Sequence, residues 1–177
     1  MWNIANATLL ATLSCAGAGT FAADTEPRRD ELDHVAKLMA DDDWTSAKSA
    51  ANDLIEHHAY SGRNADQALA GGAYIALGKI YATEAAQQEA KGRALWANTA
   101  YADARWAYLN AMTYLVADDE RAATALYEAG VCYAKLSTIE ADGAANAERT
   151  WKAVLRWYPN SKASTLAKAK LKDAGKA

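Results

Sequence analysis

Histidines and carboxylates gather at one place in the sequence, and they are the residue types that bind metals or move protons. Asp53, Glu56, His57 and His58 fall within six residues. On a helix Asp53 and His57 share a face, whereas His57 and His58 point about 100° apart. Two ligands are fewer than the three or four that a zinc ion takes from a protein. We therefore expect no metal site, and we place both histidines in solvent near the C-terminal end of a helix.

Three consecutive acids, Asp41 to Asp43, are a second candidate for cation binding. A calcium loop continues with further oxygen ligands at fixed spacing, and no such set follows here. Carboxylates in this position also accept hydrogen bonds from the first turn of a helix. We expect a helix cap and a turn at these acids.

No nucleophile stands in a catalytic motif. The sequence has no glycine-rich phosphate loop, no serine on a strained-turn motif and no haem-attachment motif. Cys132 lies beside Gly130 and Tyr133 in an apolar stretch, which favours a buried and inert thiol. We predict no catalytic residue, no metal and no cofactor, and hence a protein that is not an enzyme.

The elements that must position these residues are all predicted to be helices. Alanine is abundant and only two prolines occur, and apolar residues recur at helical spacing. No stretch alternates with a period of two, so we predict no strand. The expected helices are about 30–40, 44–58, 65–89, 94–116, 121–138, 144–157 and 161–172. The pair Gly71-Gly72 leaves open a kink in the third helix or a later start.

Two glycines at matching positions form the clearest internal pattern. Gly78 and Gly130 each stand in an alanine-rich helical stretch, three residues before a tyrosine. A glycine inside a helix costs about 1 kcal/mol relative to alanine, so a repeated one indicates a packing requirement. We predict that a neighbouring helix approaches both glycines so closely that no larger side chain fits.

The stretches that follow these glycines share a second pattern, in which an aromatic residue lies one turn after an alanine. Its members are Ala104, Tyr108 and Ala111 in one stretch, and Ala147, Trp151 and Val154 in the other. With Tyr74, Leu77, Gly78, Tyr81 and Pro159, this pattern resembles the tetratricopeptide repeat (TPR) family over about residues 31–172. The exit at residues 157–161 is similar to that of envelope members of the family, such as the outer-membrane assembly lipoprotein and the periplasmic cell-division coordinator.

The resemblance implies an all-α, TPR-like solenoid of antiparallel helix pairs, with about seven helices in residues 30–174. We expect three imperfect pairs and a terminal capping helix. Gly78 and Ala104, like Gly130 and Ala147, are further apart than in a standard repeat. Either the helices are longer than the family's or the turns carry insertions.

In the TPR family the first helix of each pair lines a concave groove that binds a partner segment. The resemblance carries this role to Ile75, Lys79, Tyr127, Val131 and Lys135. An apolar floor with two lysines suits an extended or helical peptide of acidic character. Equally, these residues could pack against a further helix, and both alternatives stay open here.

The N-terminus has the features of a secretory signal in residues 1–22, followed by a polar lead at 23–29. An uncharged run from Ile4 to Ala18 precedes small residues at a cleavage point before Ala23. No basic residue precedes the run, so a frayed helix on a cytosolic protein is the alternative. Export to the periplasm or cell envelope is preferred, and lipidation of Cys15 is the less favoured route, because Leu13 fits a lipoprotein motif poorly.

These features predict a non-catalytic adaptor or scaffold of the bacterial cell envelope that binds a protein or peptide. The net charge of −3 gives no attraction to nucleic acids, and a membrane partner is expected only if Cys15 is lipidated. Trp96, Tyr101 and Trp106 spread around one helix, so at least one is expected at a surface, where it could anchor a partner. Two alternatives stay open: a helical enzyme or small-ligand carrier with an aromatic pocket, and a structural subunit of a larger complex.

Overall fold

Seven α-helices and no strand make up residues 29–116 and 118–175, which are the part of the chain that the computed structural model describes. The helices are α1 (Arg29–Ala40), α2 (Trp44–His58), α3 (Asn64–Ala90), α4 (Ala94–Tyr114), α5 (Asp119–Leu136), α6 (Gly143–Trp157) and α7 (Lys162–Asp173). The all-α prediction is confirmed, and α3 runs through Gly71 and Gly72 without a later start. The predicted signal, Cys15 and residues 23–28 of the polar lead lie outside the described residues.

Side-chain caps and left-handed residues set several helix ends. The N-caps are Asp43 Oδ1 on Ser46 N (3.1 Å), Asp118 Oδ1 on Arg121 N (3.0 Å) and Ser161 Oγ on Ser164 N (3.1 Å). Asp42 has a φ of 59° and Gly92 a φ of 70°, the conformation in which a helix commonly ends. The acids at 41–43 therefore form the cap and turn that their sequence predicts.

The helices form two layers. Consecutive helices pack on each other, and α1 also contacts α3, α3 contacts α5, and α5 contacts α7. Within the described residues α2 does not touch α4, and α4 does not touch α6. Near the start of α5, Arg121 donates to the carbonyl of Ala68 in α3 (3.4 Å), and near its end Lys135 bonds to Glu89 (2.8 Å). The neighbouring odd-numbered helices α3 and α5 thus run in the same direction.

Both predicted glycine contacts are present. A Cβ added to Gly78 would lie 2.5 Å from Cε1 of Tyr108, and one added to Gly130 would lie 2.5 Å from Nε1 of Trp151. Each aromatic ring comes from the even-numbered helix of the same pair and is buried there. The indole N–H of Trp151 also donates to the backbone carbonyl of Tyr127 (3.3 Å). The absence of a side chain at each glycine is therefore what admits the ring.

The long spacing of the two patterns has a different cause in each pair. In the first pair α3 has 27 residues and α4 has 21, and only residues 91–93 join them. In the second pair α5 and α6 are shorter, with 18 and 15 residues, and residues 137–142 join them. The spacing in the first pair is therefore long because its helices are long, whereas the spacing in the second pair is long because its turn is long.

Replacing either glycine by leucine is expected to destabilise the fold by about 1–3 kcal/mol, because the new side chain must displace a buried aromatic ring. Leucine is the better helix former, so a loss of stability can only come from the clash. The measurement is the free energy of unfolding of Gly78→Leu and Gly130→Leu in urea.

The matched control is Gly62→Leu, since a Cβ at Gly62 would meet no atom within 4 Å. This variant is expected to unfold like the parent. Equal stability of all three variants would show that the rings do not need the glycines.

Candidate functional site

A groove of about 480 Å³ lies on the layer of odd-numbered helices, between α1, α3 and α5. Its apolar lining comes from Leu32, Ala36, Met39, Ile75 and Ala76. The base is tight, because a Cβ on Gly72 of α3 would lie 2.7 Å from the Leu32 side chain of α1. The groove thus has an apolar floor between helices that lie side by side.

Three charged side chains border this floor: Asp33, Lys79 and Arg121. Arg121 is engaged within the protein, because its Nε donates to Asp118 Oδ2 (2.6 Å) and its other contact is the Ala68 carbonyl. Lys79 is exposed, and within the described residues its ammonium group makes no ion pair or hydrogen bond. Lys79 is therefore the cation of the groove that an incoming acid can reach.

Glu128 of α5 is a half-buried carboxyl group that lies within the field of Lys79. Burial raises its pKa, and the positive fields of Lys79 and Lys170 offset this effect in part. Burial, and then the charge of Glu128, also raise the pKa of the Tyr108 hydroxyl. The folded protein thus keeps the Glu128 carboxyl group partly out of water, which costs free energy when the group is ionised. Among the described residues this carboxyl group has no ion-pair partner.

The structure brings together only two of the five residues predicted to line the partner groove. Ile75 and Lys79 both line the groove between α1, α3 and α5. Tyr127 is buried, and Val131 is partly buried, in a cluster that includes α6 and α7. Lys135 binds Glu89 Oε2 (2.8 Å) and lies over the ring of Tyr101. Tyr127 and Val131 therefore pack against further helices, which is the second of the two alternatives considered for these residues.

The expectation that His58 is solvated is wrong. Its Nε2 lies 3.2 Å from Glu31 Oε2 of α1, and its Nδ1 lies 3.7 Å from Oδ1 of the buried Asp66 of α3. Asp66 also accepts hydrogen bonds from the Ser61 hydroxyl and from Arg63 Nε (2.8 Å). The cluster joins three helices, and its partners are too distant in sequence for the spacing around His58 to indicate them.

The polar side chains of this cluster are bonded to one another. The Ser61 hydroxyl donates to the Asp66 carboxylate, and His58 contacts carboxylates on both sides. His57 Nδ1 lies 2.6 Å from the backbone carbonyl of Asp53, so its ring folds back on its own helix. Among the described residues, no group of three or more histidine, cysteine or acidic side chains is arranged to hold a metal ion.

The buried thiol and the surface aromatics follow their predictions. Cys132 is buried, and burial, followed by the charge of Glu128, raises its pKa to about 12, so the thiol is protonated at neutral pH. Tyr101 is buried, whereas Trp96 is 66% exposed and Trp106 is 56% exposed. Two large aromatic side chains of α4 are therefore available to a partner.

Comparisons with protein-family models, with curated proteins and with solved structures returned no match. In residues 29–116 and 118–175, no helix has both the length and the apolar character that crossing a bilayer requires.

Replacing Glu128 by glutamine is expected to stabilise the protein at pH 7. Because the folded-state pKa of this carboxyl group is raised, its ionisation above the ordinary glutamate pKa of about 4.3 favours the unfolded chain. The gain is therefore expected at pH 7. It should shrink as the pH falls through the raised folded-state pKa toward the ordinary value, and it should vanish below that value, where both states are protonated. The measurement is the urea midpoint of parent and Glu128→Gln across this pH range.

Glu56→Gln is the matched control, since Glu56 is exposed on α2 and has no ion-pair partner among the described residues. Its difference from the parent should stay small. A difference for Glu128→Gln that does not change with pH would mean that the carboxyl group is not desolvated.

Proposed function

We propose that the protein is a non-catalytic adaptor, a TPR-like solenoid whose odd-numbered helices bind a segment of a partner protein. The observation that carries this proposal is the open apolar groove between α1, α3 and α5, bordered by the unpaired cation of Lys79. By the resemblance to the TPR family, the odd-numbered helices take the role of the helices that line its concave groove.

The chemistry of the groove defines the segment that would fit. Leu32, Met39 and Ile75 can cover apolar side chains that recur on one face of a helix. Lys79 can pair with a carboxylate of the segment, whereas Arg121 already binds Asp118. The partner is therefore an amphipathic segment with an acidic residue beside its apolar face.

The proposed location is the bacterial cell envelope. It rests on the signal-like residues 1–22 and on the resemblance to envelope members of the TPR family. The described helices carry out the binding in either compartment, so the groove proposal does not depend on export.

A peptide library displayed against the purified protein tests the groove. We expect the selected peptides to share apolar residues at helical spacing and an acidic residue nearby. Lys79→Glu should lose these peptides by about tenfold or more, since it leaves like charges facing each other, and should select basic residues at the acidic position. Met39→Asp should lose both sets, because it places a charge on the apolar floor at a side chain that is only partly buried.

Lys168→Glu makes the same change of charge on an exposed site of α7 and should select the parental peptides. The adaptor assignment fails if the selected peptides share no pattern, or if Lys79→Glu and Lys168→Glu give the same selection. An enrichment of small molecules in the groove without peptide binding would favour a ligand carrier instead.

A further inference from the structure

The turn between α3 and α4 protrudes from the fold. Every residue from Glu89 to Trp96 is exposed, and burial resumes at Ala97. We name residues 89–96 the α3–α4 tip. Its base is held by Lys135 of α5, which bonds to Glu89, and on the other side the Lys48 ammonium of α2 reaches only as far as Glu84 (3.3 Å). Gly92, with a φ of 70°, closes the turn sharply.

The α3–α4 tip carries two unopposed positive charges. Lys91 and Arg93 are exposed, and within the described residues neither makes an ion pair. The nearest acid in sequence, Glu89, is already bound by Lys135 (2.8 Å) and by the Tyr101 hydroxyl (2.9 Å). The next charged residue along the chain after Arg93 is Asp103. The positive field of the tip is therefore not neutralised locally.

Two large apolar side chains stand beside these charges. Leu95 is 77% exposed and Trp96 is 66% exposed, and they occupy the first turn of α4. In the free protein, the exposed leucine and tryptophan side chains on this projecting turn are in contact with water. Moving their apolar surface out of water is favourable and breaks no packing contact within the protein. Tryptophan in particular prefers the headgroup region of a bilayer, and lysine and arginine are attracted to anionic lipids.

We infer that the α3–α4 tip docks on the surface of a membrane that contains anionic lipids. Leu95 and Trp96 enter the boundary between headgroups and acyl chains, and Lys91 and Arg93 contact lipid phosphates. The convex shape of the tip favours a deformable lipid surface, since a protein partner would need a concave site to cover it. The attachment is peripheral, because two apolar side chains reach only the interface.

This attachment leaves the groove free. Lys79 and Lys91 are both in or at the end of α3, and their separation along the helix is roughly 18 Å. A membrane-bound tip would therefore hold Lys79 about three helical turns away from the lipid surface. The inference stands independently of the adaptor proposal.

Co-sedimentation of the full chain with lipid vesicles tests the inference. The probes are vesicles of phosphatidylcholine alone and vesicles with equal parts of phosphatidylglycerol. We expect binding to the anionic vesicles, weakened by added salt. Leu95→Asn with Trp96→Asn, and separately Lys91→Glu with Arg93→Glu, should each lower the binding by about tenfold or more.

Two matched controls separate the tip from general surface effects. Trp157→Asn with Leu166→Asn removes the same side-chain types from other exposed sites, which are 59% and 50% exposed. Lys152→Glu with Lys168→Glu makes the same change of charge on α6 and α7. Both double variants should bind like the parent. Equal binding by tip and control variants, or no binding by the parent, would overturn the inference.

Fluorescence quenching by lipids with brominated acyl chains measures insertion directly. The parent should be quenched in anionic vesicles, and Trp96→Phe should remain bound but lose more of the quenching than Trp157→Phe does. If the two phenylalanine variants are quenched alike, Trp96 does not enter the bilayer, and the proposed docking through this tip is wrong.

Discussion

The fold depends on two aromatic rings that each occupy the space above a glycine. Tyr108 of α4 lies over Gly78 of α3, and Trp151 of α6 lies over Gly130 of α5. A ring that fills the place of a missing side chain fixes both the axial register of a helix pair and its rotation. Small residues beside the rings, such as the fully buried Ala104, keep the helices close over the rest of the contact. Because each pair is fixed in this way, the odd-numbered helices can stand side by side with a groove between them.

Helix α5 links the two parts of the core and decides where the groove is open. One buried cluster extends from α1 to α5, and a second joins α5 with α6 and α7. The terminal helix α7 contacts α5 directly, so Tyr127 and Val131 pack in the second cluster. On the other side of α5, the groove between α1, α3 and α5 is lined by Ile75 and Lys79. The groove is therefore open at Ile75 and Lys79, whereas α6 and α7 cover the equivalent surface of α5.

Local signals in the sequence were enough to predict the helices and the glycine contacts. Caps such as Asp43 and Asp118 accept hydrogen bonds from residues only three positions further along the chain. The glycines at positions 78 and 130 can be recognised in the sequence because each lies in an alanine-rich helical stretch. The His58 cluster could not be predicted, because Glu31 and Asp66 come from other helices and meet His58 only after folding. The engagement of Lys135 by Glu89 was missed for the same reason. Contacts between residues that are far apart in the sequence can be identified only in the folded structure.

The separation of Gly78 from Ala104 was readable in the sequence, but its physical meaning was not. Additional helical residues and a longer loop would increase this separation equally. Helical propensity does not distinguish the two, because alanine is abundant on both sides of the turn. In the folded chain the added residues lengthen α3 and α4, and residues 89–96 at the end of this hairpin are all exposed. Exposed Leu95 and Trp96 lower the solubility of the protein unless a lipid surface or a partner protein covers them. A helix extension that only lengthened the hairpin would favour polar residues at its end, and the basic and apolar side chains found there are those that suit a lipid surface.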